Sequence, residues 1–156
     1  MWVNEKYTQT LFALQVDVTD EILISPDVAQ LLKKAPGMNV NANGPITGIP
    51  QYRGLYGARI STTLDGTHLA SAGPNAMDPP LSYATGGQLE SLVVYRGIAP
   101  VSVAQESIGG AVEARTYSGE FATGDSPSIH GRIIGSGQTV NNGTHLNAAV
   151  YASSEH

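Results

Sequence analysis

The order of apolar and polar residues divides the chain into short segments of two kinds. In SPDVAQLLKKAPG, Val28, Leu31 and Leu32 recur on one face at helical spacing, which predicts a helix. Ser25 is its expected N-cap, and Pro26 takes the first helical position, where a missing N–H is harmless. Lys33 and Lys34 complement the negative end of the dipole, and Pro36 with Gly37 stops the helix. Nearly everything else reads as strand and turn. TLFALQV, MNVNA, IPQYRG and ARISTTL are short strands, the last closed by the hairpin pair Asp65-Gly66. QLESLVVYRG reads as a buried strand with a one-turn helical lead-in, and SIGGAVEART as a strand introduced by two glycines. One helix among several short strands predicts an α+β domain over 25–123, ending near Phe121, after an N-terminal segment 1–24.

Beyond Gly124 the pattern becomes strict alternation. In HLNAAVYAS, Leu146, Ala148, Val150 and Ala152 fall on one side, and His145, Asn147, Ala149 and Tyr151 on the other. HGRIIGSGQTV precedes it, and Asn142-Gly143 predicts the hairpin turn between them. Residues 124–156 therefore form a separate hairpin, and a lone pair of strands is marginal in water.

Composition narrows the function. Charged residues are 13% of the 156, about half the usual share, so something other than a salt-rich surface must satisfy the exposed parts. The net charge is −5 and the eight Lys and Arg are scattered, which leaves nucleic acid no electrostatic footprint. There is no cysteine, hence no disulfide framework and no thiolate site. No apolar run is long enough for a membrane helix, although β-strands would escape that test. The N-terminus lacks a signal-peptide pattern, so export would require a leader removed or outside this sequence. Enzymatic chemistry has no support: there is no nucleophile elbow, no triad order and no lysine after Gly109-Gly110 to hold phosphate. Asn142-Gly143-Thr144 matches a glycosylation acceptor, which the turn explains equally well.

The segment order DVAQLLKKAPGMNVN, QYRG, ISTTLDG, LESLVVYRG, SIGGAVEART resembles the plug domain of TonB-dependent outer-membrane receptors. The likeness runs from Asp27 to about Phe121. It implies a small mixed β-sheet with short helices, and makes the terminal hairpin the first two strands of a transmembrane β-barrel. Such receptors are plugged 22-stranded barrels, so about twenty further strands are implied. The resemblance also implies an outer-membrane location, energy coupling to TonB, and transport of a scarce solute. TLFALQVDV is the candidate TonB-binding segment.

The proline-rich stretch LASAGPNAMDPPLSYA, residues 69–84, is similar to the metal loop of outer-membrane copper receptors, which carries Cys-Pro-Asn-x-Met. That likeness places Met77 as a thioether ligand suited to Cu(I) and puts Gly73 where the cysteine stands. Gly73, Pro74, Asn75, Met77 and Asp78 are accordingly the candidate ligand-binding loop, with His68 just ahead of it as a further possible metal ligand. His130, His145 and His156 match no zinc spacing. Arg53 and Arg96 each follow a tyrosine and precede a glycine at the end of a strand expected to be buried. A buried guanidinium needs carboxylates, and the resemblance implies that these two lock the plug to glutamates on the barrel wall. The expected solute is a metal ion or metal chelate, copper or a ferric siderophore. The competing expectation is a free-standing, plug-like periplasmic binding module, whose hairpin would be ordered and soluble.

Overall fold

The computed structural model describes residues 13–16, 18, 27–119, 127–139 and 142–154. Ten strands are built from them: β1 (Ala13–Val16), β2 (Met38–Ala42), β3 (Gly48–Tyr52), β4 (Leu55–Tyr56), β5 (Ser61–Leu64), β6 (Thr67–His68), β7 (Leu89–Tyr95), β8 (Ala111–Thr116), β9 (Ser128–Gln138) and β10 (Gly143–Ser153). They form three sheets. A five-stranded sheet has the order β1-β7-β8-β5-β6, a three-stranded sheet runs β2-β3-β4, and β9 pairs with β10 alone. The β5–β8 pair is parallel and the other pairs are antiparallel, so the large sheet is mixed, as expected.

The predicted helix is a 3₁₀ helix, Val28–Lys34. Val28, Ala29, Leu31 and Leu32 are all buried, one residue more than the helical spacing indicated. Its N-cap is Asp27, whose Oδ1 accepts from the Ala29 N–H at 3.0 Å while Oδ2 accepts from the Gln30 amide at 3.0 Å. The cap is therefore Asp27 and not the expected Ser25, which lies outside the described residues together with Pro26, expected at the first helical position. Gly48 explains how the cap reaches the sheet: a β-carbon there would collide with the Asp27 carboxylate and come within 2.7 Å of Ala29 and Val40.

One apolar core joins the helix to both larger sheets. Leu32, Leu92 and Ala114 have no exposed surface, and Val16, Val94, Val112, Leu81 and Leu89 surround them. Alternation along β7 and β8 accounts for this, since Leu92, Val94, Val112 and Ala114 share one face. Gly110 is forced by the same packing: its φ is +98°, and a β-carbon would run into the Tyr95 carbonyl.

Two hairpin turns are two residues long with positive φ at both positions, the type that matches strand twist. Asp65 (φ +50°) and Gly66 (φ +76°) join β5 to β6, as the sequence predicts. Arg53 (φ +48°) and Gly54 (φ +83°) join β3 to β4 in the same way. The β9–β10 turn differs from expectation. Gly143 already pairs with Gln138, so four residues intervene and Asn142 (φ +51°) is the last of them.

The hairpin is two strands of eleven residues in continuous register. Its mixed face lies on the plug: Ile134 packs against the core, Asn147 against Gly87, and the Tyr151 ring meets Tyr117 edge-on with centroids 4.9 Å apart. Its apolar face points away. Ile129, Ile133, Leu146 and Val150 are 71%, 78%, 75% and 76% exposed. The expected domain boundary near 121–124 lies outside the described residues.

Candidate functional site

The proline-rich stretch folds as a closed loop on a buried base. Ala72 and Asp78 exchange both backbone hydrogen bonds at 3.0 Å, so the five residues between them form a tip. The chain reverses through Asn75 and Ala76, and the Met77 N–H closes this tight turn by donating to the Pro74 carbonyl at 3.2 Å. Three of the five tip positions have positive φ: Gly73 (+73°), Asn75 (+55°) and Ala76 (+56°). Met77 follows them and is half exposed. The candidate residues Gly73, Pro74, Asn75, Met77 and Asp78 are thus brought together in one short span.

The other end of the stretch is an anchor. Pro79, Pro80 and Leu81 are buried, and Leu81 belongs to the core. Asp78 ties the two ends. Its Oδ2 accepts from the Tyr83 hydroxyl at 2.5 Å, and its Oδ1 accepts from the Ser82 hydroxyl at 3.4 Å. The single Ser82 proton is shared, and its shorter bond goes to the Pro79 carbonyl at 2.7 Å. The hydrogen bond to Asp78, and then its charge, push the Tyr83 phenol above its ordinary range. The sequence reading missed Tyr83 and Ser82. The spacing of Asp78 and Ser82, four residues apart beside a proline turn, was the available signal.

His68 ends β6 and is exposed. It lines a cleft of about 270 Å³ together with Leu69, Ala76, Pro80 and Glu106, so it stands behind the loop tip. Among the described residues, no group of three or more His, Asp or Glu side chains is gathered into a metal centre.

The two arginines occupy different settings. Arg53 is exposed, against the expectation of burial, because it occupies a two-residue turn that projects from the sheet. Its guanidinium carbon lies 5.2 Å from the centroid of the Tyr52 ring. Arg96 is half-buried just past the end of β7. Part of the candidate TonB-binding segment, Ala13–Val16, is the edge strand β1 paired with β7, while residues 10–12 and 17 lie outside the described residues. His130 is exposed on β9 and His145 on β10, and His156 lies outside the described residues.

The described residues thus combine a mixed sheet, a proline-braced loop anchored on its core, and a long hairpin with an outward apolar face. Residues 12–111 match the family described as TonB-dependent Receptor Plug Domain, and the chain belongs to that family. Its members are receptors and transporters, not enzymes. Among solved structures the chain is similar to the copper transporter OprC, with a TM-score of 0.75 and 24% identity over 94% of this chain and 22% of that one. It is also similar to the siderophore receptor PirA from Acinetobacter baumannii, at 0.66 and 16% over 91% and 22%. The ferric enterobactin receptor PfeA from Pseudomonas aeruginosa, as its G324V mutant, gives 0.67 and 18% over 92% and 22%. At these identities the likeness concerns the fold. The chain spans about a fifth of the length of these structures. No curated protein matches by sequence search.

Proposed function

We propose that the chain is the plug and first barrel hairpin of an outer-membrane receptor that admits a metal ion or metal chelate, driven by TonB from the periplasm. The observation that carries this reading is the hairpin. Its two strands have the length of membrane-spanning β-strands, about nine to eleven residues, and its apolar face is turned outward while its mixed face seats on the plug. One face toward lipid and one toward the lumen is what a barrel wall requires. A free-standing binding module would leave four large aliphatic side chains in water without a partner, so that alternative is disfavoured.

The loop closed by Ala72 and Asp78 is the part of the plug that meets the solute. Its tip offers the Met77 thioether, a soft donor for Cu(I), and lacks a second soft donor because Gly73 stands where the resembling loops carry cysteine. Other donors come from barrel segments, as in any receptor whose ligand lies between plug and wall. Arg53 and Arg96 are the plug cations assigned to carboxylates of that wall. The exposure of Arg53 leaves it accessible to such a partner.

The test is uptake. Deletion of the gene encoding this chain from its host is expected to lower uptake of either radioactive copper or radioactive iron presented as siderophore complexes. A protonophore should abolish the same component. If copper is the solute, Met77→Leu should restore uptake less well than wild type. Unchanged uptake of both solutes in the deletion strain would overturn the reading.

A further inference from the structure

Two clefts meet behind the loop. The first, of about 270 Å³, is lined by Leu69, Ala76 and Pro80 from the loop side, with His68 and Glu106. The second, of about 290 Å³, is lined by Ser61, Thr63, Val103 and Gln105, again with His68 and Glu106. The same two side chains therefore border both spaces. The second cleft lies on the face of the large sheet opposite the core. Thr63 pairs with His68 across β5–β6 and with Glu113 across β5–β8, which sets them in one row. The segment between β7 and β8 folds over this row and carries Val103, Gln105 and Glu106 onto it.

From this juxtaposition we propose that His68 and Glu106 form a binding site for a divalent cation at the junction of the two clefts, with oxygen donors available from Thr63 and Gln105. One imidazole, one carboxylate and neutral oxygens suit a borderline ion such as Cu(II) or Zn(II) rather than a soft one. The donor set thus differs from the thioether at the loop tip. The carboxylate supplies the charge that a lone imidazole lacks. The inference rests on the uptake reading, because it treats the clefts as the space behind a solute-binding loop.

The experiment is a titration of the full chain in detergent with Cu(II) alone, read by electron paramagnetic resonance and calorimetry. The expected result is one site whose spectrum carries the coupling of a single imidazole nitrogen. His68→Ala should remove that coupling and weaken binding by at least about tenfold, the lower end of what losing even an outer-shell partner costs. Glu106→Gln should keep the nitrogen coupling and weaken binding to a similar degree. His145→Ala, on the exposed hairpin, should change neither. Both substituted side chains are exposed, and unchanged far-ultraviolet circular dichroism verifies that the fold is retained. Wild-type binding by both His68→Ala and Glu106→Gln would overturn the site. A parallel titration with Ag(I), read against Met77→Leu, separates the two ideas. If soft-ion binding does not depend on Met77 while the His68 signature persists, the loop reading falls and this site stands. The reverse pattern removes this site alone.

Discussion

Asn147 of the hairpin lies so close to Gly87 of the plug that a β-carbon on Gly87 would sit 2.7 Å from the Asn147 Cγ. The Asn147 amide also donates to the Thr85 hydroxyl at 3.4 Å, so the side chain is held from two directions. Gly119 makes the same kind of room for Tyr151, where an added β-carbon would be 2.9 Å from the Tyr151 Cβ. The hairpin is seated by gaps in the plug surface as much as by contacts. Gly87→Ala is therefore expected to destabilise the seated hairpin by about 1–3 kcal/mol, the usual cost of overpacking. Hydrogen exchange should show lost protection in β9 and β10 with β7 and β8 unchanged. Equal protection in the variant would mean that the hairpin holds itself.

Tyr83 and Asp78 predict a pH response. The phenol is raised from its ordinary value near 10 because ionising it would break the hydrogen bond to Asp78 and place a second negative charge beside that carboxylate. A raised value in the folded state means that the stabilisation is present below the unfolded tyrosine value and is lost as pH rises through the folded one. The loop should loosen only in strongly alkaline solution. Ultraviolet titration of wild type against Tyr83→Phe isolates this group, and Asp78→Asn should bring it back toward the ordinary value. A Tyr83 that titrates identically in wild type and Asp78→Asn would refute the pairing.

Ala76 is the strained point of the tip. An L-residue in left-handed backbone costs roughly 1–2 kcal/mol, while glycine loses about 0.5–1 kcal/mol through unfolded-state entropy. Ala76→Gly should therefore stabilise the protein slightly, by under about 1 kcal/mol, and Ala76→Val should destabilise it. Thermal unfolding of the pair gives opposite signs if the geometry is right. Asn75, whose side chain tolerates this backbone, should be the cheaper of the two positions to leave alone.

A carboxylate also closes the far end of the large sheet. Asp65 accepts from the Thr116 N–H through Oδ1 and from the Thr116 hydroxyl through Oδ2, both at 2.7 Å. Asp65→Ala loses both bonds and places alanine at φ +50°, so a loss of about 1–3 kcal/mol is expected. Asp65→Asn retains one acceptor and tolerates the turn, and should cost less than half as much. Denaturant unfolding that ranks the two variants equally would show that the clasp contributes little.

Much of the architecture is legible in local pattern. MNVNA is β2 to the residue, Asp65-Gly66 is the turn it resembles, and the alternation in HLNAAVYAS assigns every side chain of β10 to its face. The loop residues Gly73 to Asp78 could be picked out because proline, asparagine and methionine in that order have few other uses. The Asp78–Tyr83 clamp could not, since a tyrosine and an aspartate five residues apart form a bond only after Pro79 and Pro80 have bent the chain. Arg53 misled for a similar reason: an arginine after a strand of buried residues reads as buried, until the register of β3 with β4 turns it outward.

The sequence by itself determined which residues of the longer strands share a face and where the Asp65-Gly66 turn falls, because strand alternation and turn chemistry act over a few neighbouring residues. Tertiary structure alone decided which face of the hairpin meets the plug. The apolar face of Leu146, Ala148, Val150 and Ala152 would be the core face in a soluble sheet, yet Asn147 and Tyr151 are the residues seated. That outcome depends on Gly87 and Gly119, tens of residues away, leaving room for them. It was likewise long-range pairing that laid β5 parallel to β8 and set His68 and Glu106 on the borders of the same two clefts. Such relations are set by packing between distant segments, and no local period encodes them.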